Sequence, residues 1–184
     1  MESSRNDAQK IIMLLEDDPT QNSNLEFTAL RHFGGDLGID LCVAESTEKL
    51  IEEVKHHLNV SPTFKMCAIL DYNMNLNAQG EQKPAETLFY NEHFKHYLRN
   101  GGIIVIYSAY TEQVRQAKEI IDAQKNYPNL AVLIAEKSTV HLDDIFRFLK
   151  GISFDKIHHL RRISETYNFD LGTLIKAIRE NKRL

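Results

Sequence analysis

Two short apolar runs in this 184-residue chain end in acid. "IIMLLEDD" closes on Glu16, Asp17 and Asp18, and "CAILD" closes on Asp71. Two later runs end differently, "IIVIYS" in the hydroxyl of Ser108 and "AVLIAEK" in the ammonium of Lys137. Carboxylates crowded together repel one another, so a site that gathers Glu16, Asp17 and Asp71 needs a cation. Oxygen ligands without His or Cys suit Mg²⁺, which keeps some of its own waters. An ionised carboxylate such as Asp71 can itself accept a phosphoryl group, with no general base required. The metal and Lys137 would offset charge on the transferring group, and Ser108 could donate to one of its oxygens.

That chemistry requires the four runs to end side by side, and the intervening segments say how they could. After the first run, Pro19 suits a first helical turn with Asp18 as its cap. Leu25, Ala29, Leu30 and Phe33 then recur at helical spacing and Gly34 stops the pattern. "LCVAES" reads as a second strand. "TEKLIEEVKHHLN" reads as a second helix, capped by Ser46 or Thr47, with Leu50, Ile51, Val54 and Leu58 on one face. The strand ending in Asp71 leads into a long polar loop, "YNMNLNAQGEQKP", then a helix beyond Pro84 that closes at Gly101 and Gly102. The strand ending in Ser108 precedes a helix from Thr111 with Val114, Ala117, Ile120 and Ile121 inward. The strand ending in Lys137 precedes a helix whose core side is Val140, Ile145, Phe148 and Leu149.

Five strands thus alternate with five helices. The strands are continuous apolar runs, as expected where helices cover both faces of a parallel sheet. The reading is an α/β fold with a doubly wound, five-stranded parallel sheet. In such sheets the site lies outside the carboxyl ends of the strands, where the acids, Ser108 and Lys137 stand. The second strand ends in Glu45 and Ser46 and lies to one side.

Composition narrows the classes. The chain is 42% hydrophobic with a net charge of -4, enough for a real core and no footprint for nucleic acid. From residue 152 onward, seven Lys/Arg face four Asp/Glu, so this tail is +3 and the body before it -7. The tail's excess is small and dispersed, which argues against DNA binding. Its two apolar stripes, Phe154, Ile157, Leu160, Ile163 and then Leu171, Leu174, Ile175, Ile178, predict two short helices. These could pack on the body, on a second copy as a homodimer, or on a partner, or could link to an output domain. Cys42 and Cys67 lie in apolar runs and read as reduced core thiols. His93 with His96, His56 with His57 and His158 with His159 read as wet helix faces. Phe89, Tyr90, Phe94 and Tyr97 read mostly as core. The polar start has no signal-peptide pattern and no run approaches spanning length, so a soluble, cytoplasmic protein is expected, with no membrane partner. The expected divisions are a flexible tail over 1–10, a domain over 11–151 and a helical extension over 152–184. No strand runs into a glycine-rich turn, which disfavours a nucleotide or flavin site.

"IIMLLEDDP", "AILDYNM", "IIVIYSA" and "AVLIAEK", in this order across residues 11 to 151, resemble the receiver domain of two-component response regulators. The resemblance implies a (βα)5, flavodoxin-like fold. It also implies Asp71 as the phosphoacceptor, Asp17 as a direct Mg²⁺ ligand and Glu16 as one acting through water. Asn73 would offer its backbone carbonyl to the metal, Ser108 would be the switch hydroxyl and Lys137 the phosphate-contacting lysine. The implied donor is a sensor histidine kinase or a phosphotransfer protein, and the implied activity is limited to Mg²⁺-dependent self-phosphorylation and slow self-dephosphorylation. The chain departs from the family pattern at Asn75 and Ser138, where proline is usual, at Ile134, where a switch aromatic is usual, and in the length of the loop after Asp71. These departures support the alternative of a pseudo-receiver, the same fold used as a constitutive protein-binding or dimerisation module. A phosphatase of the haloacid dehalogenase type also uses an aspartyl nucleophile, but it needs a second acid two residues on, where this chain has Asn73.

Overall fold

The computed structural model describes residues 10–36, 38–60, 64–72, 74–76, 80–82 and 84–180. Asn73 and the segment expected to be a flexible tail, apart from Lys10, lie outside the described residues. Five parallel strands form one sheet: β1 (Lys10–Leu15), β2 (Ile39–Ala44), β3 (Lys65–Asp71), β6 (Gly102–Ser108) and β7 (Leu130–Glu136). Their order across the sheet is β2-β1-β3-β6-β7, which makes the chain a flavodoxin-like α/β fold. Two further strands among the described residues, β4 (Met74–Leu76) and β5 (Gly80–Gln82), form an antiparallel pair of their own. Residues 74–76 and 80–82 therefore pair as strands where the sequence suggested only a loop.

Alternation along the strands serves two cores. Ile11, Met13 and Leu15 point to one face and Ile12 and Leu14 to the other, all at most 1% exposed. On the first face lie α2 (Thr47–Val60), α3 (Pro84–Tyr90), α4 (Glu92–Asn100), α5 (Thr111–Gln116) and α6 (Lys118–Asn126). On the second lie α1 (Pro19–Phe33), α7 (Leu142–Gly151), α8 (Ile157–Thr166) and α9 (Leu171–Arg179). Each fully buried Leu, Ile or Phe in these layers contributes about 1.5–3 kcal/mol.

Two expected helices are each broken in two. Asn91 interrupts the third, and its side chain accepts hydrogen bonds from the N–H groups of His93 and Phe94, so α4 begins with its own cap. Ala117, at φ -68° and ψ 127°, interrupts the fourth. The re-aimed α6 buries Ile120 but leaves Ile121 exposed, and on α1 Leu30 also faces solvent, contrary to the inward positions read from spacing. At the far end of the sheet, Gly101 takes φ +84°, and a Cβ there would lie 2.4 Å from the Asn129 carbonyl oxygen. Glycine lets α4 turn directly into β6.

The tail belongs to the same packed body. Ile157, Leu160, Leu171, Leu174 and Ile175 are buried against β7 and α7, while Ile178 at the end of the second stripe is exposed. The turn between α8 and α9 pairs with the edge of the sheet, since the Ile134 N–H donates to the Phe169 carbonyl at 2.8 Å. Arg115 of α5 reaches the Asn168 carbonyl and the Asp170 carboxylate, and Arg161 of α8 reaches the carbonyls of Gln124 and Tyr127. The edge strand is thereby covered, which removes a template for pairing with other chains. No helix among the described residues is long and apolar enough to cross a membrane.

Candidate functional site

Strand register brings the candidate residues together. Leu15 pairs with Leu70, so Glu16 and Asp71 follow as neighbours. Asp71 pairs with Tyr107, Ser108 pairs with Glu136, and the Lys137 N–H donates to the Ser108 carbonyl at 3.0 Å. The alternation that sorts the cores continues past the strand ends. Glu16, Asp71, Tyr107 and Lys137 fall on the α1 side, with the parity of Leu14, Ile69, Val105 and Ala135. Helix α1 also starts here. Asp18 accepts from the N–H groups of Thr20 and Gln21 at 2.9 Å each, as a cap before Pro19.

The result is an open cleft of about 430 Å³ lined by Glu16, Asp17, Asp71, Ser108, Tyr110 and Lys137, with Gln21 and Asp18 at its side. Glu16 and Asp71 are buried, Asp17 is half-buried, and carboxylate oxygens of all three lie within 4.8 Å of one another. Lys137 spans the gap, its Nζ 2.8 Å from Glu16 Oε2 and 3.2 Å from Asp71 Oδ1. Ser108 is buried with its Oγ accepting from the Tyr110 N–H at 2.9 Å, which leaves the hydroxyl hydrogen free to donate.

Charge in this cleft is held under tension. Burial, then the Glu16 carboxylate, pushes the Asp71 carboxyl up to about 6 against the pull of Lys137. Burial also works against the Lys137 ammonium, but its hydrogen bond to Glu16 and the nearby Asp71 charge carry it above the ordinary lysine value. One ammonium cannot neutralise three carboxylates. The acidic group of Glu16, Asp17 and Asp71 can therefore hold a metal ion, and the donor set is all oxygen.

The structure thus gathers Glu16, Asp17, Asp71, Ser108 and Lys137. Asn73 lies outside the described residues. Lys137 aims into the cleft although the bond to Ser138 is trans, because the hydrogen bond from its own N–H to Ser108 fixes where the side chain leaves the strand. Two participants are additional to those read from the sequence. Gln21 Oε1 accepts from Lys137 Nζ at 3.2 Å, and the Tyr107 ring lies beneath that ammonium, 5.6 Å to its centroid. Parity with Asp71 was the signal for Tyr107, and position in the first turn of α1 was the signal for Gln21. The pairs His56–His57 and His158–His159 and the residue His93 stay outside the cleft, and both cysteines are free and buried. No protein-family model matches the chain and no curated protein matches it.

Proposed function

We propose that the chain is a phosphoryl-accepting receiver module of the two-component type, with Asp71 as the acceptor. The observation that supports this most is the convergence of Glu16, Asp17, Asp71, Ser108 and Lys137 on one open cleft at the carboxyl end of the sheet. An Asp71 oxygen attacks the phosphorus of a phosphohistidine, a P–O bond forms as the P–N bond breaks, and the electron pair leaves with the imidazole. Lys137, already within reach of Asp71, pairs with the incoming phosphoryl oxygens and moves off the carboxylates it now bridges. Ser108 donates its free hydroxyl hydrogen to another of those oxygens. Glu16, Asp17 and Asp71 would hold Mg²⁺, which supplies charge neutralisation at the transferring group. Apart from this self-phosphorylation and its slow reversal by water, the module signals and does not turn over substrates.

The donor on this reading is a sensor histidine kinase or a phosphotransfer protein. A second reading, a constitutive binding module on the same fold, is favoured by one observation. The Ile134 position, three residues before Lys137, is tied by its backbone to Phe169 of the tail. Intact-protein mass spectrometry after incubation with acetyl phosphate and Mg²⁺ separates the two. A single phosphoryl adduct on wild type and none on Asp71→Asn is the expected result. An equal adduct on both would remove Asp71 from its role, and no adduct on either, with metal binding shown separately, would favour the binding module.

A further inference from the structure

The turn between α8 and α9 is built under strain. Asn168 takes φ 51° and Phe169 φ 57°, the two non-glycine residues with positive φ among the described residues. Asparagine tolerates this left-handed region at a helix end, where the Phe169 N–H returns to the Ser164 carbonyl at 2.7 Å. Phenylalanine does not, because its Cβ crowds the neighbouring carbonyl oxygen. Packing of the ring does not offset that cost, since Phe169 is only half-buried and belongs to neither core cluster.

Contacts from two other elements hold the turn in place. The Ile134 N–H, on the outer edge of β7, donates to the Phe169 carbonyl at 2.8 Å. Arg115 of α5 donates from one guanidinium nitrogen to the Asn168 carbonyl and from another to Asp170 Oδ2, the latter at 3.0 Å. Such a two-point grip is strong but demands fixed geometry. Arg115 stands on an element that also reaches the acidic cleft. Helix α5 is six residues long, buries Val114 alone of its side chains and ends at the Ala117 break. Just before it, the Tyr110 N–H donates to Ser108 Oγ at 2.9 Å. One end of this short helix therefore hangs on the Ser108 hydroxyl and the other on the strained turn.

We infer, resting on the receiver reading of the acidic cleft, that this turn is a strained latch released when Asp71 carries a phosphoryl group. A phosphoryl oxygen draws the Ser108 hydroxyl toward Asp71, the Tyr110 N–H follows the oxygen it is bonded to, and α5 shifts with it. Arg115 then leaves Asn168 and Asp170, and Phe169 relaxes out of the left-handed region, which breaks its bond to Ile134. The two helices stay packed, because Ile157, Leu160, Leu171 and Leu174 are buried in the core of that face. What changes is the outer edge of β7, where the Ile134 N–H becomes free. Strain in the closed turn lowers the cost of opening, so the displacement of one lightly anchored helix can tip it between two discrete states. Such coupling is reciprocal: whatever opens the turn must strengthen phosphoryl binding by the same factor.

The test uses the full chain with Mg²⁺ and beryllium fluoride, which forms a mimic of an aspartyl phosphate on a carboxylate, and reads amide hydrogen exchange by NMR together with affinity for the mimic. On saturation the Ile134 amide should exchange about fivefold faster or more, while the Leu133 amide, turned toward β6 by parity, is unchanged. Asp71→Asn should show neither binding nor the change. Arg115→Ala should exchange rapidly at Ile134 without the mimic and bind it about fivefold tighter. Phe169→Gly removes the strain and keeps the turn, so it should do the reverse, with slower exchange at Ile134 and weaker binding. Misfolding of a variant produces neither tighter binding nor slower exchange. Binding by wild type with Ile134 exchange unchanged, or with equal affinity in Arg115→Ala and Phe169→Gly, would overturn the latch and leave the receiver reading in place. No binding by wild type would remove the receiver reading and the latch together.

Discussion

Replacing Asp71 with Asn should stabilise the folded chain at neutral pH, and the structure sets the size of the effect. Burial and Glu16 hold the Asp71 carboxyl at about 6 in the folded state, against an ordinary value of 3.8. At about 1.36 kcal/mol per pKa unit, that displacement corresponds to about 3 kcal/mol against the ionised form. Between these two values the folded state binds more proton than the unfolded state, so stability falls as pH rises through the window from about 4 to above 6. Asparagine has the shape of aspartate and no charge, so the variant escapes the cost, while Lys137 keeps Glu16 as a partner at 2.8 Å. Urea unfolding in metal-free buffer is the assay. At pH 7.5 the midpoint of Asp71→Asn should lie about 1 M or more above wild type, for a slope of about 1–3 kcal/mol per molar urea. At pH 4 the two curves should nearly coincide. The reasoning fails if the variant is no more stable than wild type at pH 7.5, or if its advantage is the same at pH 4.

Divalent metal should narrow the same gap from the other side. At 10 mM Mg²⁺ and a dissociation constant of about 1 mM, wild type should gain about 1.4 kcal/mol, and Asp17→Asn should gain much less, read as melting temperature with and without the ion. Lys137→Ala removes the cation between Glu16 and Asp71, so it should cost about 2 kcal/mol at pH 7.5 and move the window over which stability falls with rising pH to higher pH, followed by urea midpoints across pH. The Tyr97 hydroxyl is buried without a partner among the described residues, so Tyr97→Phe should leave stability unchanged or raise it by about 1 kcal/mol, and a loss beyond 1 kcal/mol by thermal melting would contradict that. Truncation after Gly151 should abolish cooperative unfolding. Ile157, Leu160, Leu171, Leu174 and Ile175 are each worth about 1.5–3 kcal/mol buried, together comparable with a domain's whole stability of about 5–15 kcal/mol. A truncated chain that melts cooperatively near wild type would show the tail to be dispensable.

The last of these predictions marks where sequence and structure part. Two apolar stripes after residue 152 require something to cover them, but a stripe has the same pattern whether it meets its own sheet, a second copy or a partner. Only the folded chain shows Phe169 and Asp170 against Ile134 at the open edge of β7, with Arg115 tying α5 to the turn and Arg161 tying α8 to the end of α6. The broken helices follow the same rule. Asn91 and Ala117 fall inside continuous helical periodicity, and it is packing that makes a new start at Glu92 and Lys118 better than a straight helix, which leaves Ile121 misread from spacing, as Leu30 is on the unbroken α1.

What the sequence by itself determined is the five strands of the main sheet and the location of the acids. An unbroken apolar run must be covered on both faces, and a chain that alternates such runs with amphipathic helices has little choice but a doubly wound parallel sheet. Strand carboxyl ends then share one side, so Glu16, Asp71, Ser108 and Lys137 were legible as neighbours before any coordinates. Tertiary structure decided the rest. Register and side-chain parity place Lys137 between Glu16 and Asp71 and put Tyr107 beneath it, and burial lifts the Asp71 carboxyl to about 6. These quantities depend on distance and solvent exclusion between residues far apart in the chain, and no local pattern carries them.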